Sequence, residues 1–260
     1  MDQTPNGRQP LTRIAVVNCN TNAVLTEALR RIAEGAARPG TQIGALTPPF
    51  GPESAEGYYE SFVSAAAMLA ALEEVSVSAG GELPYDAVVL AGFGEHGREG
   101  VRQRWEVPVV DITEAGPVYA NLLAHRYGVV TTLSSTVPAI WESLHSAGLS
   151  ARCIGVEASE IPVSSIHADV EEVASALEKR ARELLGRGAE AIVLGCAGFA
   201  GLDVELQVRL GVPVVDGVVG AVQLAESLAH SGFRTSKTGA FRPINREKTW
   251  KGWPPVGAES

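Results

Sequence analysis

Two of the three cysteines in this 260-residue chain stand where a thiol could move a proton. Cys196 lies in Leu194-Gly195-Cys196-Ala197-Gly198, at the end of an apolar run. Its neighbours are small enough for backbone N–H groups to approach a ligand. A helix starting just beyond would lower its pKa. A buried core cysteine is the competing reading, and the weaker one. Cys19, in Asn18-Cys19-Asn20-Thr21-Asn22, ends another apolar run, and functional and packing roles weigh evenly there. Cys153 falls in or beside a strand and reads as core. His96, within Gly92-Phe93-Gly94-Glu95-His96-Gly97, has a side chain able to act as acid or base near neutral pH. An exposed turn histidine is the plainer reading of it. His125, His145, His167 and His230 have no evident partners and read as structural or solvated.

Cys196 has a counterpart that is not a cysteine. Asp86-Ala-Val-Val-Leu-Ala-Gly92-Phe-Gly94 and Glu190-Ala-Ile-Val-Leu-Gly-Cys196-Ala-Gly198 are one phrase written twice. Each is followed by Val-Pro-Val-Val-Asp, at 107–111 and at 212–216. Matched phrases in matched order imply two similar half-proteins. The mirror of Cys196 is Gly92, so a symmetric two-thiol site has lost one thiol at its repeat position.

The elements that must position these residues alternate. Strands are expected at 13–17, 42–46, 87–90, 109–110, 128–132, 152–156, 191–194 and 214–215. Helices are expected at 21–36, 54–78, 114–126, 137–146, 169–185, 202–210 and 219–231. Asn20, Thr21 or Asn22 would cap the first helix, and Gly80-Gly81 would stop the second. Purely apolar strands such as Val88-Val89-Leu90 suit parallel sheets covered on both faces, and the alternation gives an α/β fold. The expected organisation is a tail (1–12), two pseudo-symmetric doubly wound parallel-sheet domains (13–126 and 127–234) and a C-terminal extension (235–260). The extension, with Trp250 and Trp253, is expected to wrap a domain or a partner subunit. In such sheets ligands collect beyond the carboxyl ends of the strands. That rule selects 18–22, Thr47-Pro48-Pro49, 92–97, Thr131-Thr132 and 195–198. Thr131 and Thr132 could hold oxygens of a small substrate or cap a helix.

Composition excludes several functions. A net charge of -9 argues against nucleic acid and against an anionic membrane surface. No run is expected to supply the ~20 apolar residues of a membrane span. Residues 1–12 lack an apolar segment, so no secretory signal is expected. Few and odd-numbered cysteines point to a reducing compartment, with the cytoplasm as the default. The glycine spacing at 92–97 is not a dinucleotide fingerprint, and no His/Cys/Asp cluster has metal-ligand spacing. No cofactor and no metal are expected.

These residues together resemble the aspartate/glutamate/hydantoin racemase superfamily, the hydantoin racemase branch in particular, from about Arg13 to Lys237. The specific pieces are Asn18-Cys-Asn-Thr21, Gly51-Pro-Glu-Ser-Ala-Glu-Gly-Tyr-Tyr59, Leu194-Gly-Cys-Ala-Gly198, Val212-Pro-Val-Val-Asp-Gly217 and Thr235-Ser-Lys237. The resemblance implies a cofactor-independent homo-oligomer acting on a small molecule in a cleft between two domains. One cysteine from each side would flank an acidic carbon. By motif, Cys196 is the second-domain thiol, with Ala197 and Gly198 beside it. Asn20, Phe93, Gly94, Thr131 and Thr132 fall where substrate oxygens or its ring would be held. The branch has Cys where this chain has Gly92, and usually Pro where it has Cys19.

These readings allow three functions. The first is a racemase or epimerase in which Cys19 or His96 replaces the lost partner of Cys196. The second is a one-thiol decarboxylase or other lyase similar to arylmalonate decarboxylase, with Gly92 supplying room. The third is a non-catalytic small-molecule binder. On the first, a cysteine restored at Gly92 is expected to raise racemisation.

Overall fold

The computed structural model describes residues 11–166, 168–245 and 248. The first half runs β1 (Thr12–Asn18), α1 (Ala23–Ala36), β2 (Thr41–Leu46), α2 (Tyr58–Ser78), β3 (Ala87–Ala91), α3 (Arg98–Arg104), β4 (Val109–Asp111) and α4 (Ile112–Leu123). The second runs β5 (Tyr127–Thr131), α5 (Val137–Ser146), β6 (Cys153–Ala158), α6 (Val170–Gly186), β7 (Ala191–Leu194), α7 (Asp203–Leu210), β8 (Val214–Asp216) and α8 (Gly217–His230). All eight expected strands form. One helix, α3, is not among those expected. Its Arg-Glu-Gly-Val-Arg-Gln-Arg sequence buries only Val101 and, unusually, Arg98, so it carries no apolar period.

The strands build two parallel sheets, ordered β2-β1-β3-β4 and β6-β5-β7-β8. In each, the second and third strands of the order are adjacent although their connections depart in opposite directions. That makes a switch point between β1 and β3 and another between β5 and β7, where a crevice opens beyond the strand ends. The strands β3, β5 and β7 are buried along their whole length, as apolar runs between two helical layers require.

The last helix of each half is exchanged. α4 packs on β7 and β8, and α8 packs on β1, β3 and β4. One core cluster therefore joins Ile14, Val16 and Val89 to Val218, Val222 and Ala225. Another joins Ala120 to Tyr127, Val129 and Val193. Glycine permits the close crossing: a Cβ at Gly116 would lie 2.7 Å from Val193 Cγ1. Packing thus crosses the sequence division at 126 in both directions, which ties the two sheets rigidly around the space between them.

The 21-residue α2 has a mean hydropathy of 1.3 over its most apolar window, enough by length and composition to cross a membrane, contrary to the expectation that no run would suffice. Half of that window is buried, with Met68 and Leu72 in the core beneath β1 and β3. The C-terminal extension ties to the first half as far as it is described. The Thr235 backbone N–H donates to Glu106 O at 2.7 Å, and Lys237 Nζ donates to the carbonyls of Arg102, Gln103 and Trp105 at the end of α3. Trp250 and Trp253 lie outside the described residues.

Candidate active site

The strand register places the repeat in space. Asn18 pairs with Ala91 across β1 and β3, and Val130 with Leu194 across β5 and β7. One residue beyond the first pairing stand Cys19 and Gly92. Two residues beyond the second stand Thr132 and Cys196. The two sheets therefore present Cys19/Gly92 and Thr132/Cys196 as mirrored pairs, with a thiol on β1 in one and on β7 in the other.

All four residues line one narrow cleft with a cavity volume of about 30 Å³. The first half contributes Cys19, Asn20, Leu25, Ala55, Ala91, Gly92, Phe93 and His96. From the second come Thr131, Thr132, Thr136, Val163, Gly195, Cys196, Ala197 and Gly198. Of the residues singled out from sequence, Pro48 and Gly94 do not line it. Pro48 is buried elsewhere than in the cleft lining. Gly94, at φ 136°, exchanges hydrogen bonds with Thr113 Oγ1, which shapes the Gly92–Gly94 turn from below. Ala55 lies in the 51–59 motif, which does not by itself mark it as a site residue, and Leu25, Thr136 and Val163 carry no signal in the sequence. These last three are common residue types from three separate segments, and nothing local marks them.

Gly92 leaves no spare room. A Cβ built there would lie 2.7 Å from Cys19 Cβ, 3.1 Å from Cys19 Sγ and 3.1 Å from His96 Cγ. The room expected at this glycine is thus occupied by the Cys19 thiol and the His96 ring. His96 is not an exposed turn residue. It is 4% exposed, and its Nδ1 has no hydrogen-bond partner among the described residues. Burial without a counter-charge pushes its pKa down to about 4, so it is neutral near pH 7.

The Cys196 thiol accepts a hydrogen bond from the Gly198 backbone N–H at 3.3 Å. The next element is a three-residue 3-10 turn, Ala197–Phe199, and not an α-helix. Burial therefore prevails over the N–H contact. It pushes the thiol up to about 11, with the nearby Glu56 carboxylate adding to the rise. Cys19 is pushed up to about 12, first by burial, then by its proximity to Cys196, and further by Asp111. The expected acidification of Cys196 is reversed because the thiol is buried, and burial favours the neutral form.

Asn and Thr side chains divide the polar work. Asn22, not Asn20, caps α1, accepting from the N–H groups of Val24 and Leu25. Asn20 Oδ1 accepts from Asn18 Nδ2 and from the Asn22 N–H, which leaves its own NH2 group for the cleft. Thr131 Oγ1 donates to Gly195 O at 3.0 Å and so fixes the Cys196 turn, without capping a helix. The Thr132 hydroxyl makes no hydrogen bond among the described residues and faces the cleft. Cys153, Sγ bonded to Gly155 O, is core as read. His145 and His230 each bond a carbonyl four residues back.

Beneath the first thiol the two halves differ. Asp111 and Asp216 both cap the helix that follows, accepting from Thr113 N and Val218 N at 2.7 Å. The second Asp216 oxygen accepts from Gly201 N, whereas the second Asp111 oxygen is buried without a partner among the described residues. Burial pushes Asp111 up to about 7 despite the Arg98 guanidinium nearby. Arg98 itself is fully buried and held by Glu95, Glu99, Ser143 and Ser146. Among the described residues, no Lys or Arg lines the cleft.

These pKa shifts have a kinetic sign. Both thiols are protonated at neutral pH, and a base must be a thiolate. Each pH unit multiplies the thiolate fraction tenfold while the other sulfur stays protonated. For a reaction using one thiolate and one thiol, kcat/KM is expected to climb about tenfold per unit between about pH 6 and pH 8. No inflection from His96 is expected near about 6.5, because it does not titrate there. Asp111, which burial pushes up to about 7 and which raises the Cys19 pKa, is the group able to bend the profile in this range. A pH–rate profile checks this, and a limb near about 6.5 that is lost in His96→Ala would make His96 the working group.

Comparison with known proteins places this arrangement. The family model described as Asp/Glu/Hydantoin racemase matches residues 14–225. The hydantoin racemase of Pseudomonas sp. (strain NS671) is 35% identical over 88% of this chain and 91% of its own length. The crystal structure of allantoin racemase from Pseudomonas fluorescens is 46% identical, covers 92% of this chain and 100% of its own, and superposes with a TM-score of 0.86. Allantoin racemase from Klebsiella pneumoniae is 31% identical, covers 95% and 100%, and gives a TM-score of 0.88. Arylmalonate decarboxylase, at 19% identity, 85% and 93% coverage and a TM-score of 0.57, shares the fold.

Proposed function

Because the chain belongs to the Asp/Glu/Hydantoin racemase family, and is an isomerase of the racemase type, we propose that it inverts the C–H centre of a 5-substituted hydantoin, allantoin being the first candidate. Cys196 and Cys19 serve as the acid–base pair. The observation that carries this reading is the relocated thiol: Cys19 Sγ fills the space that a side chain at Gly92 would occupy. The two-thiol cleft is rebuilt by moving one sulfur across to the adjacent strand.

The reaction balances without a cofactor. One thiolate takes the proton from the carbon next to a ring carbonyl, and the C–H electron pair moves onto the carbonyl oxygen as an enolate. The opposite thiol then gives its proton to the other face of that carbon. The Asn20 NH2 group and the Thr132 hydroxyl, both lining the cleft, are the proposed donors to the carbonyl oxygens of the ring as charge develops. A substrate with no net charge suits the site. No cation among the described residues lines the cleft and the Glu56 carboxylate stands near Cys196, so a malonate dianion would be disfavoured there. Phe93, Leu25 and Val163 give the ring apolar walls.

Proton NMR in D2O with single-enantiomer allantoin, other 5-substituted hydantoins, α-amino acids and arylmalonates tests this. Deuterium entering the hydantoin C5 with inversion is the expected result. Exchange with retention, or CO2 loss from a malonate, would overturn the two-thiol reading.

A further inference from the structure

We infer that residues 51–57 form a lid over the cleft and that Glu56 is its latch, a positioning residue that acts through Val163 and the lid backbone. This segment joins β2 to α2 and starts on the first half, where the Thr21 N–H and Oγ1 donate to Pro52 O at 2.9 and 3.1 Å. It then crosses to the second half. There the Val163 N–H donates to Glu56 Oε1 at 2.9 Å, and Ser135 Oγ donates to Glu56 O at 2.5 Å. Just past it, Tyr58 Oη donates to Glu142 Oε1 at 2.7 Å. Glu56 thus sits between Ala55 and Val163, two cleft-lining residues from opposite halves.

The closed cleft has room for about two water molecules, so a substituted five-membered ring enters only if a wall moves. The exchanged helices α4 and α8 lock the two sheets through apolar packing, which makes sheet separation expensive. The lid reaches the second half through side-chain hydrogen bonds at Ser135, Val163 and Glu142, each worth little individually. Opening there is the cheapest route in.

The test reads thiol exposure and not turnover, so its failure is distinct from failure of the racemase reading. The full-length protein is treated with iodoacetamide at one fixed alkaline pH, and each cysteine is followed by peptide mass spectrometry. Glu56→Ala removes latch and charge. Glu56→Gln keeps an acceptor for the Val163 N–H and removes only the charge. Cys196 in Glu56→Ala is expected to react about tenfold faster than in the unaltered protein, the scale of one lost hydrogen bond to a charged acceptor, with Cys19 following it. Glu56→Gln is expected to stay well below Glu56→Ala. Ser135→Ala, which removes a second tie without touching a carboxylate, is expected to give a smaller rise in the same direction. Cys153, buried in the second-half core, should not change. An unaltered Cys196 rate in both alanine variants would overturn the lid. Equal rates in Glu56→Gln and Glu56→Ala would assign the effect to charge, and a parallel rise at Cys153 would assign it to general loosening. Either would also overturn it.

Discussion

Cys196→Ala is expected to lower racemisation by at least about 10³-fold and to abolish deuterium incorporation from the enantiomer whose C–H faces Cys196, while Cys19 still exchanges on the other face. The magnitude is that of losing a positioned acid–base group, ~10²–10⁴-fold, taken toward the upper end because no other group could stand in for it. Thr132 lies next to it, but a hydroxyl is too weak an acid–base partner at neutral pH. His96 lies beside the other thiol, across the cleft. The substitution removes one partly buried sulfur whose partners are backbone N–H groups of the following turn, so the melting temperature is expected to stay nearly unchanged. Polarimetry on single enantiomers, with NMR in D2O, measures both effects. Exchange from both enantiomers in a folded Cys196→Ala protein would show that another base works on the Cys196 face.

Moving the other thiol back should separate position from presence. Cys19→Ala is expected to cost about 10²–10⁴-fold in inversion while Cys196 still exchanges deuterium on one face. Gly92→Cys alone is expected to disappoint, contrary to what the repeat by itself suggests. Its Cβ would sit 2.7 Å from Cys19 Cβ, an atom fixed to the backbone. Overpacking of that kind costs roughly 1–3 kcal/mol and should appear as a lower melting temperature with little gain in rate. Combining Gly92→Cys with Cys19→Gly removes the collision and returns a sulfur to the same space. The double variant is expected to recover much of the inversion that Cys19→Ala loses. Such non-additivity is what two residues sharing one position produce. If the double variant folds as well as the parent yet only exchanges with retention, Cys19 is not the second acid–base group.

The sequence by itself determined the architecture and half of the candidate site. Apolar strands, capped helices and a phrase written twice specify two parallel sheets, because hydrophobic period and turn chemistry are local properties of the chain. The strand-end rule then located Cys196, Cys19, Phe93, Thr131 and Thr132. Tertiary structure alone decided three things. The first is that Cys19 and Gly92 share one space, since adjacency of β1 and β3 depends on a register between segments some seventy residues apart. A second is the direction of the thiol shifts: sequence placed a cysteine before an expected helix, while the pKa answers to desolvation, which depends on everything packed around it. The last is the closure of the cleft by Ala55, Glu56 and Val163, and the exchange of α4 with α8 around it. None of these residues is unusual in type. They matter because two halves of one chain meet, and contact across that meeting leaves no mark in local pattern.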